Sequence, residues 1–283
     1  MNNHPKTLLR NYHIEPKKSL GQNFLCDENV LWRIVDAADI APDDHVLEIG
    51  PGLGALTKLL AQTAVSVTAV ELDARLLPIL ATELAPYDNV TVIHGDILAQ
   101  NPDALFTTPY KVVANVPYYI TGAILRHLLS AQNKPTMMVL TVQKEVAERI
   151  TAVPPKMSLL AVSTQFYGRA TTITTLKAGA FWPRPDVDSA VICLDLSQSP
   201  AVDPAFEKQF FRLAKAGFSQ KRKQLQKNLR QLGHNKTEIN TLLAQANIDG
   251  TRRAETLTLD EWKRLTEEVA KWRSGKVATS RAT

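Results

Sequence analysis

Cysteine is nearly absent from this chain: Cys26 and Cys193 are the only two in 283 residues. They lie far apart, and neither has a companion Cys or His at metal-ligand spacing. A disulfide framework and a zinc site are therefore not indicated, no metal is expected, and both thiols read as small packing residues. Long apolar runs are missing as well. None approaches the roughly 20 residues that cross a bilayer, and Met1–Lys18 lacks the apolar stretch of a signal peptide. The expectation is a cytoplasmic protein without a membrane segment. Acid is missing from one place in particular. Between Lys208 and Lys236 stand nine Lys/Arg and no Asp or Glu.

That gap is part of a wider asymmetry. The net charge is +5, from 33 Lys/Arg against 28 Asp/Glu. Residues 1–200 hold 16 basic and 19 acidic side chains, a net of −3, and residues 201–283 hold 17 and 9, a net of +8. A concentrated basic run suits a polyanion, because each phosphate it neutralises releases counterions. A solvated helix face would give the same composition, so charge alone leaves both readings open.

Residues 1–18 read as a loosely ordered basic arm. Val30, Leu31, Ile34, Val35 and Ala38 have helical spacing, which predicts a helix over about 28–40. Apolar runs at 45–49, 65–70, 90–94, 110–116, 136–142, 160–167 and 190–196 are strand candidates. Helical segments at 55–62, 121–131 and 144–152 separate several of them. Strands alternating with helices imply right-handed βαβ units and a mainly parallel sheet, covered on both faces. The last two strand candidates follow one another without a long helix, which predicts an antiparallel hairpin at one edge. Near 197–204 proline and aspartate mark a boundary. Beyond it every apolar pattern is helical, with segments starting near Phe206, Leu225, Leu242 and Leu259. The expected division is an arm over 1–18, an α/β domain over 19–199, a small all-helical domain over 200–273 and a disordered tail over 274–283.

Four strand ends carry the candidate chemistry. Leu47-Glu48-Ile49-Gly50-Pro51-Gly52-Leu53-Gly54 sits where a strand turns into a helix, and glycine there lets the backbone pass close beneath a ligand. Alone, this is either a nucleotide loop or only a tight turn. Glu71, 21 residues past Gly50, ends the next strand, where a carboxylate can accept both hydroxyls of a ribose. Asp96, after Gly95, ends the third and can receive the amino group of an adenine. No Lys-Ser/Thr follows the loop, so a phosphate-free adenosyl ligand fits better than a diphosphate. The fourth strand ends in Asn115-Val116-Pro117-Tyr118-Tyr119. An exocyclic amine is a poor nucleophile while its lone pair is delocalised into the ring. Hydrogen bonds to the Asn115 oxygen and to a backbone carbonyl near Val116–Pro117 would draw it toward a tetrahedral geometry. Pro117 fixes the chain and lacks a competing N–H, and Tyr118 would stack on an extruded base.

The Asn-x-Pro-aromatic turn resembles the signature of adenine-N6 and related amino-group methyltransferases. Further segments resemble the ribosomal RNA small-subunit adenine dimethyltransferase family: Lys17–Leu25, Val142–Arg149, Phe181–Val191, Phe218–Lys223 and Arg253–Leu257. Together they span about residues 17–260. The resemblance implies a Rossmann-like class I methyltransferase fold, α/β with a mostly parallel seven-stranded sheet and a small C-terminal helical domain. It implies S-adenosylmethionine as methyl donor and the small ribosomal subunit with its rRNA as partner. The implied reaction is dimethylation of N6 on two neighbouring adenosines in a hairpin near the 3′ end, during ribosome biogenesis. By the same resemblance Asn23 and Leu25 close over the cofactor, and Gly50, Gly52, Glu71, Asp96 and Asn115 contact it. Phe181 faces Tyr118 across the target base, while Lys221, Arg222 and Lys223 grip RNA phosphates. The chain departs from the family at Val116, usually Leu or Ile, and near Met157, often Tyr. The rival expectations are a large-subunit dimethylase of the macrolide-resistance type and an assembly factor that acts mainly by binding. DNA adenine methylases usually carry an acid in place of Asn115. A monomer is expected, because the substrate is far larger than the enzyme.

Overall fold

Short apolar strands alternating with amphipathic helices build a seven-stranded sheet in the computed structural model, which describes residues 4–198 and 202–280. By backbone contacts the chain falls into two units, Met1–Glu148 with Gly168–Gln198, and Arg149–Tyr167 with Ser199–Thr283.

In the first unit the strands are β1 (Phe24–Leu25), β2 (His45–Ile49), β3 (Ser66–Glu71), β4 (Val90–His94), β5 (Tyr110–Asn115), β6 (Met137–Gln143), β7 (Arg169–Leu176), β8 (Phe181–Trp182) and β9 (Ser189–Asp195). The large sheet has the order β4-β3-β2-β5-β6-β9-β7. β2 is parallel to β3 and β5, β3 to β4, and β5 to β6, whereas β9 runs antiparallel to β6 and β7. The order reverses at β2, so the carboxyl ends of β2 and β5 flank a crevice, the usual ligand position in such sheets.

The helices of this unit are α1 (Pro5–Asn11), α2 (Glu28–Ala38), α3 (Ala55–Ala61), α4 (Leu77–Glu83), α5 (Pro102–Leu105) and α6 (Thr121–Leu129). α7 (Lys144–Ile150) ends it. Asp27 caps α2, its side chain accepting from the Asn29 N–H at 3.0 Å, and the predicted stripe Val30, Leu31, Ile34, Val35 and Ala38 is buried. That stripe meets Leu56 and Leu60 of α3 over Val46, Val67 and Val113 of the sheet.

The expected edge hairpin exists, with a different first strand. Residues 159–165 are not a strand but α8 (Leu159–Gln165), whose N-terminus is capped by Ser158 Oγ accepting from the Ala161 N–H at 2.9 Å. An apolar run this short has no period that separates helix from strand, and the serine cap is what selects the helix. The strand is β7, Arg-Ala-Thr-Thr-Ile-Thr-Thr-Leu. Its threonines hide it from a hydrophobicity reading, although β-branched residues favour the pleated conformation.

The loosely ordered arm expected over 1–18 also requires correction. His4 Nδ1 accepts from the Lys6 N–H at 3.2 Å and Pro5 opens α1. Leu9, fully buried, packs with Phe24, Leu53, Leu76 and Ile79. The partners of Leu9 lie 15 to 70 residues away, which is why the arm looks polar on its own.

The second unit is helical: α8, α9 (Pro204–Gly217), α10 (Leu225–Leu229), α11 (Lys236–Gln245) and α12 (Leu259–Ser280). The four helices expected after residue 204 are present. Trp262, Phe210, Leu213, Leu225 and Leu242 form its core, and a Cβ at Gly217 would collide with the Trp262 ring. The contiguous division at 199/200 is revised by α8. Phe166 packs against Phe210 with centroids 4.3 Å apart and the rings tilted by 36°, and the Tyr167 hydroxyl donates to Glu207 Oε1 at 2.7 Å. The tail expected from 274 continues α12 through Ser280, and residues 281–283 lie outside the described residues. No helix is long and apolar enough to cross a membrane among the described residues.

Candidate active site

A cleft of about 690 Å³ opens where β2, β3, β4 and β5 end. Most of the residues singled out from the sequence line it: Asn23 and Leu25, Gly50 and Gly52, Glu71, Asp96, Asn115 and Pro117. They come from five separate stretches: four are brought together because parallel strands place their carboxyl ends on one side of the sheet, and the fifth, Asn23 and Leu25, arrives with β1 of the separate two-stranded sheet.

The floor is the glycine turn after β2. Gly50 has φ +69° and Gly52 φ +60°, a left-handed conformation that costs an L side chain roughly 1–2 kcal/mol. A Cβ on Gly50 would project into open cleft, and one on Gly52 would press on the Phe24 ring at 3.1 Å. The backbone at Gly50 is therefore open to a ligand's close approach, and the bare Gly52 leaves room for the Phe24 ring.

Glu71 is held on both oxygens. The Gly52 N–H donates to Oε2 at 3.1 Å and the Asp73 N–H to Oε1 at 2.8 Å. Burial pushes its carboxyl above the ordinary value, against the opposing pull of these two donors. The carboxylate is thus tied to the glycine turn itself, with lone pairs left for two ligand hydroxyls. Asp73 sits beyond it, its carboxyl held down to about 2 chiefly by the Arg75 side chain and further by Gln22, whose Nε2 donates to Oδ2 at 2.8 Å. Asp96 uses Oδ1 to accept the Leu98 N–H at 2.9 Å, which orients the exposed carboxylate at the cleft edge.

Charge in the cleft is one-sided. Among the described residues Glu28, Glu71, Glu83 and Asp96 line it, together with the buried Glu48 carboxyl that burial keeps largely protonated, against one lysine, Lys58, which pairs with Glu83. Such a lining repels a diphosphate and favours a cationic ligand. Glycine turn, buried carboxylate and acidic lining all fit S-adenosylmethionine, which carries a net positive charge. Among the described residues no cluster of His, Cys, Asp and Glu is arranged to hold a metal ion.

Asn115 closes β5. Its Nδ2 donates to the Asn23 carbonyl at 3.0 Å, leaving Oδ1 as the acceptor of the amide. The following Pro117 carbonyl accepts from Ile120 N–H at 3.2 Å, forming a 3-10 turn over Tyr118–Ile120. The second predicted motif, 17–25, comes over the site through β1. β1 pairs antiparallel with β8, Phe24 opposite Trp182 and Leu25 opposite Phe181.

Two expected residues are placed differently. Phe181 is 3% exposed and packs in the core with Leu25, Val30 and Ile34, so its ring is interior and not an exposed stacking wall. Its flanking prolines and Trp182 suggest a surface segment, but pairing with β1 turns the ring inward. Tyr118 is half-buried and not part of the cleft lining, its hydroxyl 2.6 Å from Ser189 Oγ. The exposed aromatic at the cleft is the next residue, Tyr119, 60% accessible. Sequence reasoning passed over Tyr119, although it stands in the same turn. Glu48, the residue before Ile49 on β2, lines the cleft too.

In the helical unit Lys221, Arg222 and Lys223 are all exposed in the connection between α9 and α10. Met157 is buried there, its N–H donating to the Glu255 carbonyl at 2.9 Å.

The comparisons with known proteins agree with this geometry. The profile of the family described as ribosomal RNA adenine dimethylase matches residues 14–271. A ribosomal RNA small subunit methyltransferase A of Dehalococcoides mccartyi is 46% identical over 268 residues, 94% of this chain and 92% of its own. One from Bacillus pumilus is 43% identical over 278 residues, covering 94% and 95%. Among solved structures, a dimethyladenosine transferase from Plasmodium falciparum superposes with TM-score 0.78 at 26% identity, over 88% of this chain and 98% of that one. The 23S rRNA methyltransferase ErmE gives 0.73 at 29%, over 88% and 100%. The chain belongs to the ribosomal RNA adenine dimethylase family, a family of S-adenosylmethionine-dependent methyltransferases.

Proposed function

We propose that this enzyme methylates N6 of two adjacent adenosines in a hairpin near the 3′ end of small-subunit rRNA, giving N6,N6-dimethyladenosine during ribosome biogenesis. The observation that carries the chemistry is the fixed amide of Asn115: one end is tied to Asn23 and the other is an acceptor at the cleft. The near-full-length likeness to small subunit methyltransferases A supports the choice of rRNA.

When bound, S-adenosylmethionine supplies an electrophilic methyl on sulfur. Everything else falls to the chain. Gly50 and Gly52 give the cofactor room against the backbone, Glu71 accepts from its ribose, and Asp96 accepts from its adenine. Asn23 and Leu25 close the cleft from β1. Asn115 Oδ1 accepts one proton of the target amine and a carbonyl of the Val116–Pro117 segment accepts the other, which draws the lone pair out of the ring. Holding that geometry is an entropic advantage over free collision. The open Tyr119 provides aromatic surface for the extruded base, and Tyr118, fixed through Ser189, holds the turn that carries it. Lys221, Arg222 and Lys223 hold RNA phosphates. The enzyme acts in the cytoplasm, as a monomer.

The test combines labelled S-adenosylmethionine with small subunits from cells lacking the modification, followed by nucleoside mass spectrometry. Dimethyladenosine at two neighbouring positions is the expected result. Label confined to large-subunit RNA would reassign the substrate, and tight binding without label would leave an assembly factor.

A further inference from the structure

Glu48 has no partner for its charge. It lies on β2 just before the glycine turn, lines the cleft and is 1% exposed. Its Oε2 makes no hydrogen bond of regular geometry, and the Thr57 hydroxyl on α3, itself without such a bond, stands close enough to relieve its burial only in part. Among the described residues, the elements packed around it bring no free cation. β3 contributes Glu71, of like charge and already bonded to Gly52 and Asp73. β5 contributes the apolar Val113 alongside. α3 contributes Lys58, engaged with Glu83 of α4. α2 adds only another acid to the lining, Glu28.

An isolated buried carboxylate is costly, and such groups remain neutral until a cation arrives. We propose that Glu48 is the counter-charge for the positively charged cofactor, which it meets by releasing its proton, so that the cleft binds S-adenosylmethionine with proton loss and its uncharged product without it. The inference rests on S-adenosylmethionine being the methyl donor.

Burial, partly opposed by the Thr57 hydroxyl and reinforced by Glu71, pushes the Glu48 carboxyl up to about 8. At pH 7 it is mostly protonated in the free enzyme. The cofactor carries sulfonium and ammonium against one carboxylate, a net of +1. A cation in the cleft stabilises the ionised form, the carboxyl O–H bond breaks, and the proton passes to solvent. On methyl transfer the C–S bond breaks and a C–N bond forms. The sulfonium becomes a neutral thioether, and the amine sheds one proton. Glu48 then faces no sulfonium and takes a proton back. The arrangement favours reactant over product at every turnover, and four transfers require four such exchanges.

The test is calorimetric binding at pH 7 in phosphate and in Tris, whose ionisation enthalpies differ, for the wild type and Glu48→Gln. Three ligands are compared: S-adenosylmethionine, the demethylated product, and sinefungin, which holds an ammonium in place of the sulfonium. The wild type should release close to one proton more than Glu48→Gln on binding S-adenosylmethionine or sinefungin. On binding product the two should differ by close to zero. Subtracting the variant removes any proton that comes from the ligand itself. The wild-type affinity for S-adenosylmethionine should rise up to tenfold per pH unit below about pH 8 and flatten above it, since each proton released contributes one unit of slope. Glu48→Gln should bind product as the wild type does and bind S-adenosylmethionine about tenfold more weakly, a single unit of pKa shift.

Equal proton counts for wild type and variant with the cationic ligands would overturn the proposal. So would an equal wild-type excess for cofactor and product. If Glu48→Gln fails to fold, a wild-type pH dependence that is the same for cofactor and product overturns it, and a steeper one for the cofactor supports it. Failure of the wild type to bind S-adenosylmethionine at all would instead remove the cofactor assignment.

Discussion

Asn115 Nδ2 and the Asn23 carbonyl are joined by a 3.0 Å hydrogen bond across 92 residues of sequence. That bond couples the end of β5 to the segment that covers the cleft. It also sets which end of the amide meets the amine, since only Oδ1 can accept. Asn115→Ala should therefore reduce kcat by about 10²–10³-fold, the scale of losing one transition-state hydrogen bond. Affinity for rRNA should remain within about twofold on the same reasoning, because binding and reaction use different groups. Single-turnover transfer and filter binding measure the two, and a parallel loss of both would contradict the assigned role.

The basic run makes a prediction about salt. Replacing Lys221, Arg222 and Lys223 by glutamate should weaken binding to rRNA and make log K against log salt shallower by about 2 to 3, near 0.9 per phosphate contact. The measurement is a salt series with wild type and triple variant. An unchanged slope would place the RNA contact elsewhere.

Asp73 predicts an acid-side stability loss. Its folded carboxyl is lowered from an ordinary 3.8 to about 2, first by Arg75 and also by Gln22. A carboxyl lowered on folding adds stability that is fully present above the unfolded value and disappears as pH falls through the folded one. The window is therefore between about pH 4 and pH 2. Asp73→Asn should be less stable than the wild type at pH 6, with the gap closing across that window in thermal melts. A gap that stays constant down to pH 2 would refute it.

Phe181 separates core from cleft wall. Phe181→Ala should cost about 3–5 kcal/mol of stability, typical of truncating a buried aromatic, read from denaturant midpoints at constant m-value. An exposed stacking residue would lose substrate affinity with stability intact. That second pattern would restore the surface role expected from its prolines.

The chemistry was legible where it depended on spacing along one strand end. The glycine turn, Glu71, Asp96 and Asn115 could be read because each closes an apolar run, and parallel strands put such ends side by side. The family segments 17–25 and 181–191 were legible as motifs, but not as partners. Their antiparallel pairing through β1 and β8 needs a contact over more than 150 residues, and only that contact turns Phe181 inward. Tyr118 and Tyr119 are identical by composition, and the 3-10 turn decides which ring Ser189 retains and which stays open.

By itself, the sequence determined the alternating α/β pattern, the helical and basic C-terminal part, and the acids that follow the strands. These depend on local period and on residue chemistry, which the chain carries at each position. Tertiary structure decided the rest. It made α1 a core element because Leu9 has its partners elsewhere, assigned α8 to the helical unit through Phe166 and Phe210, and left Glu48 buried without a counter-charge. Burial and pairing are properties of what surrounds a residue, and those surroundings come from distant parts of the chain.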